Sequence, residues 1–333
     1  MLSLFLIEQA EKKSGKRESK FCNYPTAKRC ELIAVDAFAI RSLNDHEKSI
    51  GNGTDSIRVS GSIGLISSKL MVEGPVQRDK SSFMLAGRTS YAHLFLKLAD
   101  NNNSAMFYDI NARFNQKLSE NNSLHFSGYL GSDVFDIGNS FSSTYGNTMA
   151  SLNWKHTFSA NLKTSLLLFY SDYRFNVGID SEGLDWDSGI KSYGLKYEWK
   201  HKATERLQLN YGLDATYYDF NPGTLSPTGD GSQFNYQQFQ KKHALEPSAF
   251  LDVEHEIIEK LNLRFGMRYS MFYRFGPEEV NIYANNSAVI YNPIFGIYEE
   301  AEPVGTQTYG RGDKIASFDN IEPRVALPSI GIS

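Results

Sequence analysis

The chain has 333 residues, with 34 Lys and Arg against 38 Asp and Glu, and its formal net charge is −4. A nucleic-acid-binding protein usually carries a strong basic excess, so no nucleic acid is expected as a partner. No apolar run approaches the length of about 18 residues that a membrane-spanning helix needs. Aromatic residues make up 13% of the chain, alongside 26 Gly, and this composition favours β structure.

The first 54 residues are expected to be a poorly structured segment with no recognisable function. Leu2–Ile7 is apolar but too short for the hydrophobic region of a secretory signal. Seven Lys or Arg follow within residues 11–30, without helical or strand periodicity. The two cysteines, Cys22 and Cys30, lack the further Cys or His residues of a zinc site and are interpreted as incidental thiols.

From about Asp55 onward, apolar and polar residues alternate, which predicts strands with one apolar and one polar face. The alternation persists for about 9–13 residues, whereas soluble strands average about 5–6 and a tilted bilayer-crossing strand needs about 9–11. About twelve such strands are predicted, beginning near Ile57, Lys69, Ser81, Ala105, Ser123, Tyr145, Leu162, Ile190, Arg206, Ala244, Leu261 and Asp319. The residues expected to face lipid include Leu207, Leu209, Leu213, Leu263, Phe265 and Met267.

Short and long connections alternate between these strands. Short polar turns are predicted at 77–80, 119–122, 159–161, 203–205 and 257–260. Long connections are predicted at 132–144, 174–188, 221–242 and 275–318. This asymmetry is typical of outer-membrane barrels, which have tight turns at one end and long loops at the other. The sequence therefore predicts an all-β fold, an antiparallel transmembrane β-barrel meander of about twelve long strands.

Several short motifs carry a resemblance to a known family. The segment from Ser60 to Leu70, followed by Val72-Glu73-Gly74-Pro75, Lys80-Ser81-Ser82-Phe83 and Gly87-Arg88, resembles the opening barrel strands of TonB-dependent outer-membrane receptors. Asn320-Ile321-Glu322-Pro323-Arg324-Val325-Ala326-Leu327 resembles a strand in the middle of the same barrel. The similarity extends over residues 55–327.

The resemblance implies a 22-stranded barrel whose lumen holds an N-terminal plug. It also implies uptake across the outer membrane of a Gram-negative cell, with energy delivered through TonB, of a scarce ligand such as an iron chelate, cobalamin or an oligosaccharide. No signal peptide, TonB-contacting box or plug is recognised ahead of Asp55. Residues 55–333 are therefore expected to be a partial receptor barrel, with the plug and the remaining strands missing from this chain.

A catalytic or metal-binding site would be an alternative role for the polar residues. Glu254-His255-Glu256 is the densest acid–His cluster, but successive strand residues point to opposite faces. No catalytic residue, metal or cofactor is predicted, and the protein is not expected to be an enzyme. Two other hypotheses remain open, a complete small barrel acting as a porin or hydrolase, and a soluble β-rich adhesion or structural protein. Ligand-binding candidates lie in the two longest loops: Phe234, Tyr236, Phe239, Tyr283, Tyr291, Tyr298 and Tyr309.

Overall fold

A computed structural model describes residues 56–98, 103–138, 140–229, 232–258 and 261–326. The interpretations of residues 1–54, including the two cysteines, lie outside the described residues. Within the described ranges, no helix is long and apolar enough to cross a membrane.

Twelve strands form one antiparallel meander, and this confirms the all-β fold class and the expected strand count. Each strand pairs with its neighbours along the sheet, and a further two-residue strand, β10 (Gln237–Gln238), pairs with β9. The twelve are β1 (Arg58–Ile63), β2 (Ser67–Gln77), β3 (Ser81–Ser90), β4 (Ser104–Ser119), β5 (Asn122–Ile137), β6 (Phe141–Ser159), β7 (Leu162–Ile179), β8 (Leu184–Lys202), β9 (Leu207–Pro227), β11 (Lys242–Ile258), β12 (Leu261–Phe275) and β17 (Lys314–Ala326).

The meander is an open sheet. Within the described residues, β1 pairs only with β2 and β17 pairs only with β12, so these two strands are its edges. A complete twelve-stranded barrel would pair β1 with β17. The open sheet therefore agrees with the partial barrel and not with a complete small one.

Two of the predicted long connections are wrong. The sheet continues through most of residues 132–144, because β5 ends at Ile137 and β6 begins at Phe141. It also continues through most of residues 174–188, where β7 and β8 are separated only by a turn at 180–183. These segments are rich in Ser, Asp and Gly, which are typical of loops, but their backbones complete the ladder hydrogen bonds of neighbouring strands.

The remaining elements lie in connections. Helix α1 (Ala92–Leu98) joins β3 to β4 and was not predicted from the sequence. The connection from β12 to β17 holds two separate two-stranded sheets. One pairs β13 (Glu278–Tyr283) with β16 (Pro303–Tyr309), and the other pairs β14 (Val289–Asn292) with β15 (Ile297–Glu300).

The sheet has two different ends. At the end here called the turn end, the connections at 78–80, 120–121, 160–161 and 203–206 are all tight. The opposite end, here called the loop end, carries α1, the segment 228–241 and the segment 276–313. Among the described residues, Met84 is the one buried hydrophobic residue, so the sheet has no closed apolar core.

Candidate functional site

Strand register assigns the two faces of the sheet. Directly paired residues share a face, and Leu209 and Phe265 both pair with Val253. Leu207 and Leu263 likewise both pair with His255. The remaining two predicted residues belong to the same alternating sets, so all six residues expected to face lipid share one face of β9 and β12.

This face carries a continuous apolar band. One row of direct partners crosses eight strands from β5 to β17: Leu124, Trp154, Leu166, Tyr197, Leu213, Ala249, Tyr269 and Ile321. Many large apolar side chains of the band are exposed, including Leu168, Leu195, Leu213, Phe265 and Met267. These side chains would remain exposed in water, so the apolar band is covered only if another apolar surface or solvent contacts it.

Aromatic rings flank the apolar band on both sides. Towards the loop end, Tyr170, Tyr193 and Tyr217 are direct partners on β7, β8 and β9. Their successive ring centroids are 5.1 and 6.4 Å apart. Towards the turn end, the Trp199 ring lies 4.0 Å from Tyr197 and 5.7 Å from Tyr211. Such paired aromatic rows resemble the interfacial girdles of membrane barrels.

A charged row lies beyond the tyrosines, outside the apolar band. Asp172, Lys191, Asp219 and His243 are successive cross-strand partners on β7, β8, β9 and β11. A guanidinium nitrogen of Arg174 lies 2.8 Å from Asp172 Oδ2. This hydrogen bond from Arg174 holds the pKa of the Asp172 carboxyl below its usual range.

The spacing of these rows gives the height of the apolar band. On β7, Asp172 and Leu162 lie just outside the levels of the two aromatic rows, at Tyr170 and at Thr164, the partner of Trp199. At about 3.3 Å per residue and the tilt of about 40° that barrel strands have, the span from Leu162 to Asp172 would rise about 25 Å with the aromatic rows included.

The opposite face, here called the polar wall, carries a network of ion pairs. Asp214 on β9 accepts hydrogen bonds from Arg268 at 2.8 Å and from Ser248 at 2.5 Å. Asp214 and Arg268 reach each other across β11, and their side chains are only 17% and 24% exposed. Lys196 Nζ lies 3.0 Å from a Glu198 carboxylate oxygen on the same face.

The polar wall has a shallow depression of about 180 Å³ near the turn end, lined by six residues of this face: Lys200, Gln208, Asn210, Asp252, Glu254 and Arg264. Its charges are mixed in sign. Glu254 lines the depression, whereas His255 belongs to the apolar face, so the Glu254-His255-Glu256 cluster does not converge. Within the described residues, no group of three or more His, Cys, Asp or Glu is placed to hold a metal ion.

The loop candidates are only partly brought together. Tyr291 and Tyr298 face each other across β14 and β15, with ring centroids 5.2 Å apart. Tyr283 and Tyr309 lie at opposite ends of the β13–β16 pair. The other three candidates, Phe234, Tyr236 and Phe239, are all exposed in the segment between β9 and β11.

One aromatic at the loop end was missed by the sequence analysis. The exposed Trp186 ring lies over Gly223, where an added Cβ would fall 1.9 Å from the indole nitrogen. Gly223 also accepts a backbone hydrogen bond from Phe239 at 3.0 Å, which draws the 228–241 segment back over β9. A glycine interrupting the strand pattern at 223, opposite a Trp-containing strand, is the signal that could have indicated this close approach.

No protein-family model and no curated protein matches the chain. Solved structures with a similar fold include the copper transporter OprC, at 11% identity and a TM-score of 0.54, covering 80% of this chain and 40% of that one. The Serratia marcescens hemophore receptor HasR, solved with its hemophore HasA and heme, has 14% identity, a TM-score of 0.53, and coverage of 80% and 41%. The ferric citrate transporter FecA has 12% identity, a TM-score of 0.51, and coverage of 77% and 38%.

The chain spans between 38% and 41% of the length of these three structures. All three are TonB-dependent outer-membrane receptors, and the described sheet has the fold of part of their barrel.

Proposed function

We propose that residues 55–333 form part of the wall of an outer-membrane receptor that takes up a scarce ligand with energy delivered through TonB. The observation that carries the proposal is the two-faced meander. Its apolar band, together with the aromatic rows that flank it, would be about as tall as the apolar belt of an outer-membrane barrel, and the opposite face is polar and charged.

The apolar band argues against the soluble alternative. The exposed apolar side chains of the band lie on strands from β1 to β17, so the apolar surface extends across the whole sheet. The largest exposed apolar patch of a soluble monomer is typically only about 300–600 Å². Leaving apolar surface in water costs about 25 cal/mol per Å². Lipid would remove that cost without a second protein layer, so we propose outer-membrane lipid as the partner of this face.

The two ends of the sheet can then be assigned to the two sides of the outer membrane. Outer-membrane barrels place short turns in the periplasm and long loops outside the cell. The turn end would face the periplasm, and segments 228–241 and 276–313 would face the exterior. The polar wall would line the lumen, where a plug and further strands would complete the receptor.

The proposed ligand is an iron chelate, cobalamin or an oligosaccharide. The similar structures include receptors or transporters of copper, ferric citrate and heme-carrying hemophore. Phe234, Tyr236 and Phe239, with Tyr283, Tyr291, Tyr298 and Tyr309, supply exposed or half-exposed aromatic surface at the loop end. Such rings could stack on a sugar or a chelate. The mixed charges of the polar wall are explained by a hydrated lumen, and no enzymatic role is proposed.

Uptake by the bacterium that encodes the chain tests this proposal. An epitope-tagged gene product should fractionate with the outer membrane, and deleting the gene should abolish uptake of one of three probes: radiolabelled ferric citrate, cyanocobalamin or maltoheptaose. Uptake should also be lost in a strain without TonB. Uptake that persists without TonB would favour a porin, and a product found in the soluble fraction would overturn the membrane assignment.

The loop assignment needs its own comparison. Replacing Phe234, Tyr236 and Phe239 together by Ser should reduce uptake by about tenfold, because stacking on aromatic rings is worth about 1 kcal/mol or more. Replacing the exposed Gln233, Asn235 and Gln237 by Ser in the same segment is the matched control and should leave uptake near the wild-type rate. Equal effects of the two triple variants, at equal protein levels in the outer membrane, would contradict a ligand role for the rings.

A further inference from the structure

We infer that the β14–β15 hairpin is a docking surface for a basic polypeptide segment that carries apolar side chains. The hairpin, here called the tip hairpin, comprises residues 289–300 of the connection between β12 and β17. This inference goes beyond the proposed uptake function, since it concerns a partner held at the loop end, whether or not that partner is transported.

The tip hairpin exposes apolar side chains on both faces. Seven of its residues are large and apolar, and each is between 47% and 85% exposed: Val289, Ile290, Tyr291, Ile294, Phe295, Ile297 and Tyr298. Register places Val289 and Tyr298 on one face and Ile290 and Ile297 on the other, with Ile294 and Phe295 at the turn. Such a concentration of exposed apolar surface marks an interaction site.

The hairpin is nevertheless organised in the structure. Gly296 donates a backbone hydrogen bond to Asn292 at 2.9 Å, and the Asn292 side chain donates to Glu299 at 2.8 Å. Tyr291 and Tyr298 pack across the strands. The described residues form no third strand on this sheet, so its outer edges keep unpaired backbone groups. An isolated two-stranded hairpin is marginally stable in water, and added pairing would stabilise it.

The charges near the tip hairpin indicate the kind of partner that it would bind. Residues 275–310 contain five Glu and no Asp, Lys, Arg or His. Glu278 is engaged by Arg274 and by Lys242, which lies 3.8 Å away. Among the described residues, the carboxylates of Glu299, Glu300 and Glu302 have no ion-pair partner, and all three residues are exposed. The apolar tip therefore lies beside a local excess of negative charge.

Other occupants fit this charge poorly. A second copy of the chain would bring the same three Glu, Glu299, Glu300 and Glu302, into the contact, and an anionic membrane surface would repel the hairpin in the same way. An extended basic segment can instead add to the edge of β15 by backbone pairing. Each face of β15 presents one apolar residue and one Glu, Ile297 with Glu299 and Tyr298 with Glu300. A strand that alternates basic and apolar residues would complement both faces.

Peptide binding to the full chain in detergent micelles tests the inference. The probe is a short fluorescein-labelled peptide in which Lys alternates with Val, and fluorescence anisotropy measures its Kd at low and high salt. Glu299→Gln, Glu300→Gln and Glu302→Gln together should weaken binding by about tenfold at low salt, since each exposed charge contact contributes about 0.5 kcal/mol. Ile294→Ser with Phe295→Ser should weaken binding at both salt concentrations, because it removes apolar contact.

Matched controls separate docking from general effects. Leu94→Ser with Phe95→Ser removes exposed apolar side chains from helix α1, another loop-end segment, and should leave the Kd unchanged. A peptide alternating Glu with Val, and one alternating Lys with Ser, should both bind weakly. Equal binding of the Glu peptide or the Lys–Ser peptide, no binding of the Lys–Val peptide, or an unchanged Kd in the glutamine variant would overturn the inference. Because the readout is binding in micelles, a failure of ligand uptake in cells would leave it unaffected.

Discussion

The two faces of β7 offer the sharpest test of the membrane assignment. Leu168 belongs to the apolar face, where it pairs with Leu152 and Leu195 and is 42% exposed. Its neighbour Leu167 belongs to the polar wall, where it pairs with Asn153 and Lys196. The same substitution, Leu→Arg, can therefore be made at adjacent positions that are expected to meet different solvents.

The expected difference between the two variants follows from the depth of Leu168 within the apolar band. Leu168 lies near the middle of the β7 segment from Leu162 to Asp172, and this segment crosses the apolar band. An Arg facing lipid at the bilayer midplane costs about 2–4 kcal/mol, and the cost falls to about 0–1 kcal/mol near the interfaces. At about 1.4 kcal/mol per tenfold change, Leu168→Arg should reduce the equilibrium constant for insertion by about 30-fold or more. Leu167→Arg would enter a hydrated face between Asn153 and Lys196, where repulsion from Lys196 should cost only about 0.5 kcal/mol.

The assay is the amount of protein in the outer-membrane fraction of the bacterium that encodes the chain, measured by quantitative immunoblotting. Leu168→Arg should lower this amount severely, and Leu167→Arg should leave it close to wild type. A third variant, Leu168→Ile, controls for disturbance of packing and should be tolerated. Equal losses at both positions, or a larger loss at Leu167, would refute the assignment of lipid to the apolar band.

Two other predictions concern the edges and the polar wall. The chain expressed alone should not form a monodisperse closed pore, because β1 and β17 keep unpaired backbone groups; a heat-modifiable monomer with a stable single-channel conductance would contradict this. Arg268→Ala should destabilise the membrane-embedded protein by about 1–3 kcal/mol, because Asp214 keeps only Ser248 as a donor in a poorly hydrated position. Denaturant titration followed by protease resistance measures the effect, and Arg264→Ala, which removes an exposed Arg of the same strand, should have little effect.

The strand count and the apolar face could be predicted because long strands with one apolar and one polar face leave a regular alternation in the sequence. A strand that crosses the apolar band must alternate along its whole crossing, and residues 261–273 do so without exception at their odd positions. The six residues predicted to face lipid consequently share one face. Their contact with lipid itself stays a prediction.

Outside the apolar band, a strand need not alternate apolar and polar residues. Strands β6 to β9 extend for 18 to 21 residues, well past the height of the band, and their outer portions can be polar on both faces. Ser142, Ser143 and Thr144 therefore resemble loop residues in sequence although they continue β6. Helix α1 escaped prediction for a related reason, since its seven residues are too few to show a helical period.

Rows of side chains across the sheet depend on register, and register depends on the connections. The turn at 120–121 has two residues and brings Lys117 opposite Ser123, so it fixes the faces of β4 and β5 together. No comparable constraint acts across residues 228–241, where the pairing of Asp219 with His243 is decided by the alternation of β9 and β11 and by the backbone contact of Phe239 with Gly223. The charged row that ends at His243 joins residues far apart in sequence through three successive connections. Sequence alone supplies the alternation of each strand, but the height at which Asp172, Lys191 and Asp219 meet is a property of the assembled sheet.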